Sequence, residues 1–209
     1  MKKLIWTLTL MSALLLAGCA GEPQGAGNNG IPDEAQFEAA AAELGEDAGT
    51  LKLSVNGKVY QFPMEMQTLL DDGWKVDGAV ASQLKTIPGK TRTTTFAVNL
   101  KGADGYNGTK LHVVVSNHID MDLKLGEVKV YSMDVHKEDG GTVILPRGIT
   151  WESTFDEVKT AYQPKQDYVI DMANSVSVTV TNPETYDKLV LEFDSETKVL
   201  KGLKYSAHF

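Results

Sequence analysis

The stretch 50–62, TLKLSVNGKVYQF, places two alternating apolar runs on either side of Asn56-Gly57. Asparagine and glycine tolerate the positive φ angles that both central residues of a type I′ turn need, and this turn matches the twist of antiparallel strands. An Asn-Gly pair between alternating runs is the strongest short-range signal for a hairpin. We therefore expect antiparallel strands over 51–55 and 58–62, which need further strands to complete a sheet.

Several segments further along the chain alternate in the same way. In 189–193, LVLEF, the side chains of Leu189, Leu191 and Phe193 share one face of a strand, because successive side chains point to opposite faces. The other predicted strands are 93–100, 111–117, 127–135, 142–145, 175–181 and 199–206.

Two segments have helical spacing instead. Residues 65–72 carry Met66 and Leu69 on one stripe and end before Gly73. Residues 154–162 open with a Thr-x-x-Glu capping box, in which a hydroxyl and a carboxylate each satisfy a backbone N–H that the helix leaves free. The sequence therefore predicts two short helices among many strands.

These elements predict an α+β fold, an antiparallel β-rich module over 50–209. A similar order occurs twice within it: a strand, a short helix with a tryptophan beside it, and several antiparallel strands. This order suggests two tandem helix-plus-antiparallel-sheet halves, 50–137 and 138–209. Trp74 and Trp151 lie beside the two helices, and we expect both to pack in the core.

Residues 1–18 have the pattern of a signal peptide. Lys2 and Lys3 precede an apolar run, 4–16, which would rise about 20 Å as a helix, short of the roughly 30 Å hydrocarbon core of a bilayer. A short apolar run after a basic start is typical of a signal h-region rather than a stable membrane span.

The apolar run ends in Leu-Ala-Gly-Cys at 16–19, which resembles the lipobox of bacterial lipoproteins. The resemblance implies cleavage between Gly18 and Cys19, a lipid on the Cys19 sulfur, and acylation of the new amino terminus by a fatty acid such as palmitate. The alternative is a soluble secreted protein in which Cys19 lies near the cut by chance. Two or more acyl chains hold a protein on a membrane essentially permanently, so we expect the chain on the extracytoplasmic face of the cell membrane.

Residues 19–49 differ in composition from the rest. The segment 20–49 carries seven acidic residues, no lysine or arginine, and almost no large apolar residue. Residues 33–44 could form a helix with Asp33 as its N-cap, but its apolar residues are mostly alanines. We therefore expect residues 19–49 to consist of the lipidated Cys19 followed by an acidic flexible tether.

Composition excludes several classes of protein. Apolar residues make up 42% and charged residues 23%, which is ordinary globular composition rather than collagen-like or disordered. A net charge of −8 argues against a nucleic-acid partner. The single cysteine excludes an intrachain disulfide framework.

The sequence contains no Gly-x-Ser-x-Gly nucleophile elbow, no His-Glu-x-x-His or paired Cys-x-x-Cys zinc motif, no phosphate loop and no dinucleotide fingerprint. We therefore predict no cofactor, no catalytic residue and no enzymatic activity. We do not interpret Asp156 and Glu157 as a catalytic acid/base pair. Adjacent residues of a helix point about 100° apart, and the capping box already explains Glu157.

One weak candidate metal site is His118, Asp120 and Asp122. On a strand the three side chains would point to one face and could hold a divalent cation. The alternative is a solvated face or loop, because two carboxylates and one imidazole leave most of a metal shell unfilled. Residues 104–108, DGYNG, faintly resemble a calcium loop but lack its later bidentate glutamate, so a turn explains them better.

The other histidines, His112, His136 and His208, are scattered along the chain. His112 and His136 lie in strand-like runs. We interpret them as exposed strand residues rather than catalysts.

Residues 145–164, LPRGITWESTFDEVKTAYQP, resemble a pattern found in uncharacterised lipoproteins of Gram-positive bacteria. Gly-Ile-Thr at 148–150 and Asp-Glu-Val at 156–158 carry the likeness, which is also reminiscent of the β-lactamase-inhibitor-protein fold and of small outer-membrane-assembly lipoproteins. The resemblance implies a helix packed on an antiparallel sheet, and binding rather than catalysis. Glu152 stands where a glycine is common in that pattern.

Together these features predict a lipid-anchored extracytoplasmic lipoprotein that acts as a binding or envelope-associated module. Its partners would be the membrane, through the lipid on Cys19, and an envelope protein or glycan. Two alternatives stay open. One is a cell-envelope or extracellular hydrolase whose site is assembled from distant residues, and the other is an inhibitor or chaperone-like partner of an envelope protein.

Overall fold

The computed structural model describes residues 33–78, 85–89, 95–102, 108–162, 169–174 and 176–208. These residues form antiparallel sheets and three α-helices, so the predicted α+β class is confirmed. The helices are α1 (Glu34–Leu44), α2 (Met66–Asp71) and α3 (Phe155–Ala161). None of the described helices has the length and apolar character needed to cross a membrane.

The strands are β1 (Lys52–Val55), β2 (Lys58–Gln61), β3 (Met64–Glu65), β4 (Lys75–Val76), β5 (Thr86–Ile87), β6 (Thr95–Lys101), β7 (Lys110–Ser116), β8 (Leu123–Lys124), β9 (Lys129–His136), β10 (Val143–Leu145), β11 (Ile149–Thr150), β12 (Val169–Asn174), β13 (Ser177–Thr181), β14 (Lys188–Phe193) and β15 (Leu200–Ser206).

The large sheet has the order β12-β13-β14-β15-β9-β7-β6-β4, with β3 paired to the start of β9. Two antiparallel meanders meet in it, and their last strands, β9 and β15, pair with each other at the centre. This central pairing joins strands from distant parts of the chain, which places residues of both meanders side by side on each face.

The small sheet has the order β11-β10-β1-β2. The predicted hairpin is present in it: Asn56 and Gly57 have φ angles of 51° and 77° and join β1 to β2. Strands β5 and β8 form a separate two-stranded ribbon.

Apart from β3, β5 and β8, which occur only in the first part of the chain, the same element order occurs twice. The series β1, β2, α2, β4, β6, β7, β9 is matched by β10, β11, α3, β12, β13, β14, β15, and each series contributes two strands to the small sheet and four to the large one. That these series are two copies of one ancestral half stays a prediction, because matching order is not residue identity.

The hydrophobic core lies between the two sheets and includes α2 and α3. Trp74 is 2% exposed, and its indole N–H donates to the Tyr60 hydroxyl at 2.9 Å. Trp151 is buried as well and donates to the carbonyl of Gly141 at 3.1 Å. Both tryptophans therefore pack in the core, as predicted, with their one polar atom satisfied.

Helix α1 forms where the sequence predicts it, with Asp33 as N-cap accepting from the Gln36 N–H at 2.8 Å. The expectation of a solvated tether over this segment is wrong. Ala40 and Leu44, four residues apart and so on one face of the helix, pack on Ile144, which points away from the main core. The helix therefore covers the outer side of the small sheet.

The residues after α1 are also fixed to the module. Arg147 donates through its backbone N–H to the Gly45 carbonyl at 3.2 Å and through Nε to the Glu46 carbonyl at 2.8 Å, and Ala48 is fully buried in the main core. Residues 33–49 therefore belong to the folded module, and the rest of the predicted tether, 19–32, lies outside the described residues.

The capping box that begins α3 is confirmed. The Thr154 backbone N–H and hydroxyl donate to Glu157 Oε2 at 2.8 and 2.9 Å, and the Glu157 N–H donates to the Thr154 hydroxyl at 3.3 Å. The bonds from the Thr154 backbone and then from its hydroxyl lower the pKa of Glu157, because they favour the charged carboxylate.

A lowered pKa makes the cap sensitive to acid. Its stabilisation is fully present above about pH 5, where glutamate ionises in the unfolded chain, and is lost as the pH falls through the lowered folded-state pKa. We expect Glu157→Gln to lower the melting temperature at neutral pH and to match the native protein at pH 2. Glu196→Gln, at another exposed glutamate, is the control. A difference between Glu157→Gln and the native protein that does not shrink in acid would contradict this account.

Candidate functional site

The large sheet has one face packed on the core and one that the described helices leave open. On the core side lie fully buried residues such as Val113, Met133 and Leu191. The opposite side, here called the outer face, consists of the residues between them on each strand. Most of these are half-buried or exposed, and they include Thr179, Val190, Lys204, Asp134, His112 and Asn99, which form one row across six strands.

His112 of β7 is the fifth of the six residues in this row. The register places it opposite Asn99 of β6 and Asp134 of β9. Its Nδ1 lies 2.9 Å from the Asn99 side-chain oxygen, and its Nε2 lies 3.2 Å from Oδ2 of Asp139, which follows β9. Both ring nitrogens of His112 are therefore engaged, and the imidazole is held in one orientation.

A second histidine lies next to it. His136 Nε2 is 3.5 Å from Oδ1 of Asp134, and Lys204 Nζ is 3.8 Å from the other oxygen of the same carboxylate. The rings of His112 and His136 are 6.3 Å apart between centroids. Asp134 thus contacts a histidine of its own strand and a lysine of β15, and the two histidines each have an acidic neighbour.

Gly202 of β15 makes room for His136. A Cβ at this position would lie 3.0 Å from Nδ1 of His136 and 3.6 Å from the Glu192 carboxylate. Beside this contact an open depression of about 480 Å³ is lined by His136, Lys137, Glu138, Glu192 and Lys201. The outer face is therefore recessed at this end and lined with charges of both signs.

The chemistry of this arrangement favours binding. A general base needs a ring nitrogen directed at its substrate, whereas both nitrogens of His112 already have protein partners. The side chains of His112, His136 and Asp134 are 40%, 35% and 31% exposed, so neighbours restrict them while one side stays accessible. Such fixed donors and acceptors lose little entropy when a partner arrives.

Residues 117–122 form a loop rather than a strand, so of the two interpretations of His118, Asp120 and Asp122 the structure shows the loop. Strand β7 ends at Ser116, and the next residues form a loop built around the buried side chain of Asn117. Its amide nitrogen donates to the carbonyls of Ile87 and Met121 at 3.0 and 2.8 Å, and its oxygen accepts from the Ile119 N–H at 3.0 Å.

In this loop the side chains of the three candidate ligands have different surroundings. His118 stacks on Tyr131 with ring centroids 4.8 Å apart. Asp122 accepts from the Gly89 N–H at 2.9 Å, and Asp120 is exposed. Throughout the described ranges no three histidine, cysteine or acidic side chains are grouped as a metal site would need.

The remaining predicted residues lie apart from the outer face or outside the described residues. Three of them lie outside the described residues: Gly18, Cys19 and, in the calcium-like loop, 104–107. Glu157 belongs to the cap of α3, and His208 is exposed near the end of the chain, with its N–H donating to Asp187 at 2.8 Å. Burial, and then the nearby Asp187 carboxylate, raise the pKa of Tyr205 on the core side.

The sequence pattern indicates the two histidines but not their partners, Asn99, Asp134, Asp139 and Lys204. The alternation in 129–136 could have placed Asp134 and His136 on the polar face of β9. Their meeting with His112 depends on the register of β7 against β9, which includes a bulge after Val114.

No protein family, curated protein sequence or solved structure matches the chain. The inferences about function therefore depend on the residues and on the geometry of the outer face.

Proposed function

We propose that this protein is a lipid-anchored extracytoplasmic lipoprotein whose outer face binds a component of the cell envelope. The lipobox-like residues 16–19 support the anchor, and residues 145–164 support a kinship with Gram-positive-type lipoproteins that carry a helix-on-sheet module. The outer face supports the binding role.

The observation that carries the proposal is the polar network at the centre of the outer face. An antiparallel sheet often exposes one face to water, and such a face needs only scattered polar residues. Here histidine, carboxylate, amide and ammonium groups from β6, β7, β9 and β15 engage one another within 3.8 Å. Ordering long polar side chains costs entropy, so this degree of organisation favours a surface prepared for a partner.

The same surface suits an inhibitor or chaperone-like role toward an envelope protein, since both require a broad, preformed face. The hydrolase alternative is less favoured at His112, because both ring nitrogens of this histidine have protein partners and neither is left for a substrate.

A photocrosslinking amino acid placed on the outer face tests the proposal in living cells of the host. Ala97 and Lys188 are exposed outer-face residues on β6 and β14, far apart along the sheet. We expect crosslinked adducts from both positions, because a bound partner would lie within reach of the probe.

Two exposed positions away from the outer face serve as matched controls: Lys159 on α3 and Glu38 on α1. We expect no adduct, or far weaker ones, from these sites. The proposal is wrong if Ala97 and Lys188 give no adduct, or if all four positions give the same adducts at equal yield.

A further inference from the structure

Three lysines stand opposite one another on neighbouring strands of the outer face. The register pairs Lys75 of β4 with Lys101 of β6, and Lys101 with Lys110 of β7. Directly opposed residues of antiparallel strands have Cβ atoms about 5 Å apart. The three side chains, all exposed, therefore form one row across the sheet, here called the lysine row.

Two carboxylates flank the lysine row: Asp77 beside Lys101, and Asp139 beside His112, the next outward residue of β7 after Lys110. Lys101 Nζ lies 3.4 Å from Oδ1 of Asp77, whereas no ion pair within the described ranges involves Lys75 or Lys110. The other outward positions of β6 and β7 hold threonine, alanine, asparagine, histidine, valine and serine, none of which is acidic. The sequence between these strands contains Asp104, which lies outside the described residues.

The requirements of folding do not account for this row. Like charges directly opposite each other in a sheet are destabilising. A lysine on an edge strand does protect against edge-to-edge aggregation, which explains Lys75, because β4 is the edge of the large sheet. It does not explain Lys110, which lies on the third strand from that edge.

We propose that the lysine row binds a linear polyanion that carries phosphate groups along its backbone, such as an anionic envelope polymer. The polymer would cross β4, β6 and β7 and place successive phosphates against successive ammonium groups. This inference rests on the proposed function of the outer face and adds the chemical class of the partner.

The shape and composition of the face favour a linear polymer over the two other anionic partners. A flat anionic membrane would also bring its charge against Asp134 on β9, the strand next to β7, and against Glu192 on β14. A chain can follow the row and avoid them. Protein interfaces are enriched in aromatic anchors, and the outward positions of β4, β6 and β7 hold no tryptophan, tyrosine or phenylalanine.

Long-chain inorganic polyphosphate serves as the probe, titrated calorimetrically into the full chain in a neutral detergent. Each phosphate that a protein neutralises on a flexible polyanion contributes about −0.7 to the slope of log affinity against log salt. We expect Lys75→Gln/Lys101→Gln/Lys110→Gln to weaken binding by about tenfold or more and to reduce the slope by about 2.

The matched control removes the same charge elsewhere, in Lys85→Gln/Lys124→Gln/Lys159→Gln, all at exposed lysines. It should bind polyphosphate nearly as the native protein does. The thermal melting of the lysine-row variant should be no lower than that of the native protein, because the substitution removes like-charge pairs, and so weakened binding would not reflect unfolding.

Three results would overturn the inference. One is polyphosphate binding that is absent, or equally reduced in both triple variants. The second is stronger, row-dependent binding to polyglutamate, which would indicate an acidic protein. The third is stronger, row-dependent binding to phosphatidylglycerol vesicles, which would indicate a membrane surface. These three results would not contradict the proposed binding role of the outer face. The photocrosslinks from Ala97 and Lys188 test that role separately.

Discussion

Replacing Gly141 with alanine is expected to destabilise the protein by about 3 kcal/mol, a large part of the 5–15 kcal/mol by which a typical domain is stable. Gly141 precedes β10 and has a φ of 83°, a conformation that costs an L-residue about 1–2 kcal/mol. A Cβ there would lie 2.7 Å from Cγ2 of Thr109 and 2.9 Å from Oδ1 of Asn56.

Neither Thr109 nor Asn56 can move away without weakening a hydrogen bond. Asn56 is buried, donates to the Thr109 hydroxyl at 3.2 Å and accepts from the Thr142 N–H at 2.9 Å. These bonds tie the β1–β2 turn to the starts of β7 and β10, so they connect the small sheet with the large one. Leaving one buried polar group without its partner costs about 1–3 kcal/mol, which adds to the backbone strain.

Gly148→Ala provides the matched control. Gly148 also has a positive φ, 71°, but no atom lies within 4 Å of its added Cβ, so only the backbone strain of about 1–2 kcal/mol applies. Urea unfolding followed by tryptophan fluorescence measures both variants. Equal losses in the two would show that the contact between the sheets contributes nothing.

Local signals in the sequence predicted much of the fold. The Asn56-Gly57 turn and the Thr154/Glu157 cap each depend on neighbouring residues alone, and both are present as expected. The two-residue strands β3, β4, β5, β8 and β11 were missed because two residues cannot show an alternating pattern, and β12 was missed because its sequence, VIDMAN, does not alternate. The docking of α1 was missed because its contact requires Ile144, a residue about a hundred positions away that faces outward from β10.

The candidate site was less predictable than the fold, because its contacts join residues that are distant in the sequence. That His112 and His136 lie on strands could be inferred from alternation. Their pairing with Asp139 and Asp134 depends on strand register, and a shift by one residue would turn every side chain to the other face. The lysine row likewise exists only because β4 pairs with β6, and Lys75 alone carries no sign of it.

Cys19→Ala is expected to abolish incorporation of radiolabelled fatty acid completely, the largest change predicted for any single substitution. The thioether needs a thiol, and Cys19 is the only cysteine in the chain. Each buried methylene contributes roughly 0.8 kcal/mol to membrane binding, so two or more acyl chains are effectively permanent and their loss removes the anchor. Labelling in living cells, followed by immunoprecipitation, measures the change.

Ala20→Ser, beside the proposed cleavage site, keeps the thiol and should be labelled like the native protein. Equal labelling of the native protein and Cys19→Ala would contradict lipidation at this residue.

If the lipid is attached to Cys19, the docking of α1 on the small sheet shortens the distance that the module can extend from the membrane. A chain spans at most about 3.6 Å per residue, so Asp33 would lie within about 50 Å of Cys19, roughly half the limit for a tether that ended at Thr50. The outer face would then act only on partners close to the membrane surface.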